Sequence, residues 1–456
     1  MSNHVFSCVI ALSLATLQAC STAPEPRHIG VDEWQELHAQ RVGAAPAALD
    51  ESAQLHDLLV YAGRNNLGLS AAFEEWQAAL EHVSRAVRRP EPRVTLGAYL
   101  QSVETRTGPM RGRVALNLPL PRYGALDAAG AIASAKAEAA RERFESALFD
   151  LEHDVRKVWY ELAWLERAIE VARGHRELLM HWESISLARL ETGIGRHADV
   201  IRTQVELGKL IDRIATLEDL RFPLSARLNA ALGRAAAAPL PTPRDCGHAL
   251  EMPNEEMLLA DLGQTSPALR ALAHRAEAAR QEIALAQTEA SPRFYVGAEY
   301  VLIDDARQAG VPDSGRDAIA LSLGADLPIW RESYDAGVRE GRAALRAILA
   351  ESADRTLRLG SEVHLALYSV RDANRRLELY SKELIPKGEE AVSALDSAYQ
   401  TGEASFLELI DAQRVLLEFQ LEAARAEADR FQAFAKLEHL TGARLHTTET
   451  ITRDDS

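Results

Sequence analysis

The stretch TGEASFLELIDAQ, residues 401–413, interrupts a long apolar-periodic region and decides where the chain folds back. The helical pattern of apolar residues reaches Tyr399, stops at a Thr-Gly pair, and resumes directly afterwards. A glycine in this place predicts a helix that ends in the left-handed conformation. Ser405, followed three residues later by Glu408, forms a capping box and predicts the start of the next helix. The stretch therefore predicts the turn of a long helical hairpin.

This turn occurs twice, because the chain contains a long internal repeat. The pairs that share one constant offset are Leu118-Pro119 with Leu327-Pro328, Thr192-Gly193 with Thr401-Gly402, Gln204 with Gln413, Arg221-Phe222 with Arg430-Phe431, Leu228 with Leu437, and Gly233 with Gly442. Two upstream pairs have a shorter offset: Pro92-Arg93 with Pro292-Arg293, and Gly97-Ala98 with Gly297-Ala298. The second copy must therefore carry extra residues between Tyr300 and Ser322. This pattern predicts a duplication in which each copy has a helical stretch, two short strands and two very long helices.

Four short segments alternate apolar and polar residues, which is the pattern of β-strands. Their apolar positions are Val94, Leu96, Ala98 and Leu100; Val114, Leu116, Leu118 and Leu120; Phe294, Val296, Ala298, Tyr300 and Leu302; and Ile319, Leu321, Leu323, Ala325 and Leu327. Each segment has the length of about 9–11 residues that a tilted membrane strand needs. The alternative is a soluble sheet that covers a core, but the sequence offers no further short strand for a second sheet. Four strands are too few to close a membrane barrel, so membrane strands would require the chain to oligomerise.

The rest of the sequence favours long helices and argues against a nucleic-acid groove. The 456 residues carry a formal net charge of −16, whereas phosphate binding needs a basic surface. Aromatic residues make up only 6%, and Ala, Leu, Glu and Arg dominate, which favours helix. The helical pattern of residues 334–400 is interrupted only near Pro386 and predicts a length of about 100 Å. Helices this long need partners along their whole length, as in coiled coils.

The first residues are predicted to form an export signal. Residues 5–17 are apolar but too short to span a membrane as a helix, and LQAC at 17–20 resembles a lipoprotein signal. Cys20 would then carry the lipid, and Ser21 implies sorting to the outer membrane. The alternative is an ordinary secretory signal cut nearby. Cys8 leaves with the signal, so Cys246 has no partner and no disulfide framework is expected.

The duplicated halves, the two β-hairpins and the helix pairs broken at YQTG…FLELIDAQ resemble the TolC-like outer-membrane efflux protein family. A second specific match is FAKLEHLTG at residues 434–442, and the resemblance covers residues 55–445. It implies a membrane α+β fold with duplicated halves and a homotrimeric assembly. Four transmembrane strands per chain would form a twelve-stranded barrel, and long antiparallel helices would form a tunnel through the periplasm.

The resemblance also implies a function. The chain would be a passive exit duct in the outer membrane, without enzymatic activity or cofactor, that works with a periplasmic adaptor and an inner-membrane pump. The FLELIDAQR…LEHLTG segment looks most like subfamilies that serve resistance-nodulation-division pumps. Other hypotheses are a type I secretion exit duct and a structural periplasmic coiled-coil lipoprotein, which leaves the alternating hairpins unexplained. The histidines form no HExxH motif or tight Cys/His cluster, so no metal site is predicted.

We expect six regions along the chain. They are a signal peptide (1–19), a lipid-anchored linker (20–54), a first efflux repeat (55–235), a proline-rich connector (236–262), a second repeat (263–445) and a polar tail (446–456).

Two acids follow the second turn. The capping box accounts for Glu408, and its repeat counterpart, Asp199, would complement the dipole of its own helix. Asp411 lies past the cap on the same helix face as Glu408. In the resembled family, acids at these two positions face the lumen of the periplasmic entrance, where three chains would form carboxylate rings. Arg202 is the repeat counterpart of Asp411, and because of this matched placement it is the hypothesised counter-charge for an acid of the other hairpin. The resembled family's gate has an arginine just before the second acidic pair, but the corresponding position near Ala404 has none here, so the closing network is expected to differ.

The turns themselves are Thr192-Gly193 and Thr401-Gly402. Both glycines are predicted to end their helices with a positive φ. The resemblance implies that these four residues contact the adaptor.

Overall fold

A computed structural model describes residue 49 and residues 52–243 and 252–445. Several features predicted from the sequence lie outside these residues. They are the signal peptide, the lipidation of Cys20, most of the lipid-anchored linker, the part of the connector that contains the unpaired Cys246, and the polar tail.

The described elements follow the duplicated order that the repeat predicts. The first half contains α1 (Leu55–Asn65), α2 (Leu67–Ala86), β1 (Arg93–Thr105), β2 (Gly108–Pro119), α3 (Ala125–Glu191) and α4 (His197–Ala231). The second half contains α5 (Glu255–Thr265), α6 (Pro267–Glu289), β3 (Arg293–Ile303), β4 (Ala318–Asp326), α7 (Arg331–Leu379), a π-helix (Tyr380–Leu384), α8 (Ile385–Thr401) and α9 (Phe406–Thr441). The predicted duplicated α+β fold is confirmed.

The described chain divides into two compact units. One unit, the sheet unit, comprises Glu75–Arg141 and Ala271–Ser352, and the remaining described residues form the helix unit. In the sheet unit, four antiparallel strands pair in the order β1-β2-β3-β4, so β1 and β4 are its edges. The predicted apolar face is open to solvent, with Leu96 74% and Leu321 84% exposed. Such a face needs a cover, because contiguous apolar surface of this kind marks an interaction or membrane surface.

β1 is longer than the sequence pattern predicts, at 13 residues. The apolar alternation ends near Leu100, but the strand continues to Thr105 through a shift in register between Ala98 and Val103. A bulge of this kind changes which face a side chain occupies, and a simple alternation rule cannot follow it.

The helix unit is built from long antiparallel helices. α3 has 67 residues, about 100 Å at the standard rise, and its part after Arg141 belongs to this unit. The predicted interruption near Pro386 is present: a π-helix covers Tyr380–Leu384, and Pro386 lies in the first turn of α8. Proline has no N–H to donate, so it fits the start of a helix and loosens the turn before it. Among the described helices, none combines the length and apolar character that a transmembrane helix requires.

Candidate functional site

The turn between α3 and α4 is a compact loop with a left-handed residue at its centre. The amides of Ile194 and Gly195 both donate to the carbonyl of Arg189, at 3.0 and 2.8 Å. Gly193 has a φ of 78°, which only glycine adopts at little cost. The Thr192 hydroxyl donates to the carbonyl oxygens of Ala188 and Arg189, which closes the end of α3.

The turn between α8 and α9 repeats this geometry bond for bond. The amides of Glu403 and Ala404 both donate to the carbonyl of Ala398, at 2.8 and 3.1 Å, and Gly402 has a φ of 88°. The Thr401 hydroxyl donates to the carbonyl oxygens of Ser397 and Ala398, which are the repeat counterparts of Ala188 and Arg189. The prediction of positive φ at both glycines is therefore confirmed.

The helices that leave the two turns start differently. At α9 the predicted capping box is present: the Glu408 amide donates to the Ser405 hydroxyl at 3.3 Å, and the Ser405 amide donates to the Glu408 carboxylate at 2.9 Å. The Ser405 amide and hydroxyl both donate to the Glu408 carboxylate and hold its pKa below its usual value. α4 begins at the N-cap Arg196, whose side chain makes no cap, and Asp199 lies in its first turn. Of the two helices that leave the turns, only α9 therefore begins with a side-chain cap.

Asp411 lies on the exposed side of α9 and pairs with Arg414, whose Nη1 donates to Asp411 Oδ1 at 3.2 Å. The same guanidinium binds Glu206 on α4, with Nε 3.0 Å from Glu206 Oε2. Lys209 adds a third contact to Glu206, and these bonds together lower the pKa of the Glu206 carboxyl. Arg414 thus links the two hairpins and also pairs with Asp411 on its own helix.

Arg202 has a different environment from the one hypothesised. Its side chain is exposed, and it forms no ion pair with a described residue of its own chain. The counter-charge of Asp411 within one chain is Arg414, which is three residues away on the same helix and needs no tertiary contact to reach it. A bond between Arg202 and an acid of the other hairpin stays a prediction.

Arg189 is the residue that sequence reasoning missed. From the last turn of α3, its Nη1 donates to the carbonyl oxygens of Tyr399 and Gln400, at 2.6 and 3.2 Å. Its guanidinium carbon also lies 4.7 Å from the centre of the Tyr399 ring. The last carbonyls of a helix lack intrahelical partners and carry partial negative charge, so a cation bound there is stabilising. The repeat counterpart is Ala398, so the link exists in one direction only.

Further contacts of α3 follow the same side of α8. Trp182 Nε1 donates to Asp396 Oδ1 at 3.0 Å, and the Ser186 hydroxyl lies 3.3 Å from the Tyr399 hydroxyl. Trp182 is fully buried, so this is a tertiary anchor rather than a surface contact. The only sequence signal for Arg189 is a basic residue in the last turn of a helix, which is commonplace.

A buried polar chain lies deeper in the helix unit. His175 Nδ1 lies 2.8 Å from the Gln413 amide nitrogen, and His175 Nε2 lies 2.8 Å from Gln420 Oε1. Burial lowers the pKa of His175, so the ring is neutral, accepts from Gln413 and donates to Gln420. Its role is to satisfy polar groups between α3 and α9. Among the residues that the structure describes, no group of three or more His, Cys, Asp or Glu is placed to hold a metal ion.

Comparisons with known proteins agree on the architecture. A sequence profile described as outer membrane efflux protein matches residues 58–234 and 258–443. Curated protein sequences give no significant match. The structure of the outer-membrane channel OprN superposes with a TM-score of 0.73 at 18% identity, covering 89% of this chain and 96% of that one.

Two further solved structures share the fold. The outer membrane protein VceC of Vibrio cholerae gives a TM-score of 0.70 at 19% identity, covering 86% of this chain and 97% of that one. The open-state outer membrane channel MtrE of Neisseria gonorrhoeae gives 0.69 at 18% identity, covering 86% and 89% respectively.

Proposed function

This chain belongs to the outer membrane efflux protein family, and we propose that its two helical-hairpin turns form the gated entrance of the efflux duct. Membership makes the chain an outer-membrane efflux channel rather than an enzyme. It also implies a trimer that works with a periplasmic adaptor and an inner-membrane pump. The pump is of the resistance-nodulation-division type, in keeping with the FLELIDAQR…LEHLTG segment, and Cys20 carries a lipid anchor.

The open sheet supports trimeric closure. β1 and β4 leave unpaired backbone groups at both edges, which lipid does not tolerate. In a trimer, β4 of one chain pairs with β1 of the next and gives a twelve-stranded barrel.

A Cys20→Ser variant grown with labelled palmitate tests the proposed lipid anchor. We expect the wild type to incorporate the label and the variant not to.

The main support for the proposed gate is the contact of Arg189 with the end of α8. Arg189 holds this end against α3 through two hydrogen bonds to carbonyl oxygens and a cation–π contact. Together with the Arg414–Glu206 pair, it ties the second hairpin to the first on both sides of the turn. Opening requires the second hairpin to separate from the first. The MtrE relative is described in an open state, which supports the view that this fold adopts more than one entrance geometry.

The entrance acids give the duct its ion preference. Glu408 and Asp411 are exposed one turn apart on α9, and three copies form two carboxylate rings. Such rings favour cations at a constriction. Arg202 of the neighbouring chain is the proposed counter-charge, because it is exposed and has no ion pair with the described part of its own chain. Thr192, Gly193, Thr401 and Gly402 form the surface that meets the adaptor.

Single-channel recordings in planar bilayers test this proposal. Asp411→Ala should weaken cation preference, and Arg202→Ala should raise the current by releasing a closing contact. Asp219→Ala, which removes an exposed acid of α4 far from the turn, is the matched control. Current and ion selectivity equal to wild type in both variants would remove Asp411 and Arg202 from the gate.

A further inference from the structure

Two glycines on the polar face of the sheet have a large side chain of the neighbouring strand lying over them. Gly97 of β1 is paired with Arg113 of β2, and Gly324 of β4 is paired with Tyr295 of β3. Directly paired residues place their side chains on the same face of a sheet. Neither glycine has a positive φ, so the backbone conformation itself does not require glycine.

The space above each glycine is already filled. A Cβ on Gly97 would lie 3.0 Å from Arg113 Cγ and 3.1 Å from its Nε. A Cβ on Gly324 would overlap the Tyr295 ring at Cζ, Cε2 and the hydroxyl. Glycine at these positions therefore lets Arg113 and Tyr295 lie flat against the sheet. The Arg113 guanidinium is held in turn by Glu299, with Nη1 3.5 Å from Glu299 Oε1.

The repeat shows that residue size is balanced at the Tyr295–Gly324 pair. In the first copy, the pair that corresponds to Tyr295 and Gly324 is Thr95 with Ala115. A small residue faces an alanine in one copy, and a large ring faces a glycine in the other. Gly324, the partner of Tyr295, thus lacks the Cβ that would displace the ring from the sheet.

We propose that Gly97 and Gly324 determine the cross-section and charge of the pore by keeping Arg113 and Tyr295 flat. This rests on the proposed function, in which the polar face of the sheet lines the duct and the apolar face meets lipid. Each level of the pore then carries three copies of the same pair. A flat Tyr295 leaves the pore wide for large solutes, and a flat, Glu299-paired Arg113 presents little free positive charge.

The test compares single-channel currents of four forms of the full chain in planar bilayers. Gly324→Ala should lower conductance about twofold, because three tyrosine rings tilt into the pore. The double variant Gly324→Ala/Tyr295→Thr recreates the first-copy pair and should return to within about 20% of wild type. Gly337→Ala on α7 is the control, since a Cβ there meets nothing within 4 Å.

Tyr295→Ala alone distinguishes a flat ring from a standing one and covers the case in which Gly324→Ala does not assemble. Its conductance should stay within about 20% of wild type if the ring lies flat. A large rise in Tyr295→Ala, or wild-type conductance in an assembled Gly324→Ala trimer, would overturn the proposal. Absence of any current from the wild-type chain would instead contradict the proposed channel function.

Gly97→Ala tests the charge at the other level. A Cβ on Gly97 pushes the Arg113 side chain outward and weakens its 3.5 Å contact with Glu299, so the reversal potential in a salt gradient should shift toward anion preference. An unchanged reversal potential in an assembled trimer would contradict the role of Gly97.

Discussion

The two helical-hairpin turns have the same backbone and different side chains. Each turn bonds two successive amides to one helix-end carbonyl, that of Arg189 in the first and Ala398 in the second, and each places a glycine at positive φ. The first turn contributes a cation that reaches across, whereas the second contributes the carbonyls that receive it. The second turn also has the capping box that the first lacks.

Duplication explains the shared backbone, and divergence explains the difference. A turn with fixed hydrogen bonds can exchange side chains freely as long as its glycine stays. The first hairpin provides Arg189, which binds the end of α8 in the second hairpin. The second hairpin then continues into α9, whose start is capped by Ser405. In the proposed gate, this asymmetry gives the second hairpin a preferred direction of release, which two identical hairpins would lack.

The largest expected effect comes from removing the Arg189 side chain. Arg189→Ala deletes the charge-assisted hydrogen bonds to the carbonyl oxygens of Tyr399 and Gln400. A hydrogen bond of this class contributes about 1.5–3 kcal/mol. We expect the open population to rise about tenfold or more, since about 1.4 kcal/mol corresponds to a factor of ten. The measurement is the open probability of single channels in planar bilayers.

Arg189→Lys keeps the charge but loses the planar fork, so its open probability should lie between wild type and Arg189→Ala. An Arg189→Ala channel that gates like the wild type would show that the link is structural only.

Alanine at the two turn glycines should have equal effects, because the backbone strain is the same. Gly193→Ala and Gly402→Ala each place a Cβ at positive φ, which costs about 1–2 kcal/mol. No side chain complicates the first, since a Cβ on Gly193 meets nothing within 4 Å. Hydrogen exchange of the turn amides should accelerate by similar factors in both variants. Clearly unequal acceleration would contradict the equivalence of the two backbones.

The caps should behave unequally. Ser405→Ala removes the side-chain cap of α9 and should cost about 1 kcal/mol, which corresponds to about fivefold faster exchange in its first turn. Arg196→Ala removes no cap and should change exchange at the start of α4 by less than twofold. Conversely, Arg196→Ser should slow exchange there by supplying the missing cap. No slowing in Arg196→Ser would mean that local helix capping does not limit the first turn.

The smallest expected effect is a pH dependence confined to the second turn. The folded-state pKa of Glu408 lies below the unfolded value of 4.5 because the Ser405 amide and hydroxyl bond its carboxylate. Its contribution to stability is therefore complete above pH 4.5 and is lost as the pH falls through the folded-state pKa. Glu408→Gln should melt below wild type at pH 7, and the gap in melting temperature should close in acid. A gap that persists at pH 3 would assign the difference to another cause.

Local patterns let the sequence determine much of the fold. The capping box at Ser405 and the Thr-Gly pairs fixed both turns, and apolar alternation located all four strands. These features depend on neighbours within a few residues, so a linear reading captures them. β1 is longer than the alternation predicts, because the strand continues past a register shift after Ala98 that depends on its pairing with β2.

Only the tertiary structure decided which side chains act together at the turns. Arg189 and Tyr399 are far apart in sequence, and nothing near Arg189 indicates that its guanidinium reaches the end of α8. Packing likewise brought Glu206 of α4 to Arg414 of α9, whereas the Asp411–Arg414 pair lies within one helix. Periodicity specifies which face of a helix is apolar, but the depth and direction of a long polar side chain depend on the helix packed against it.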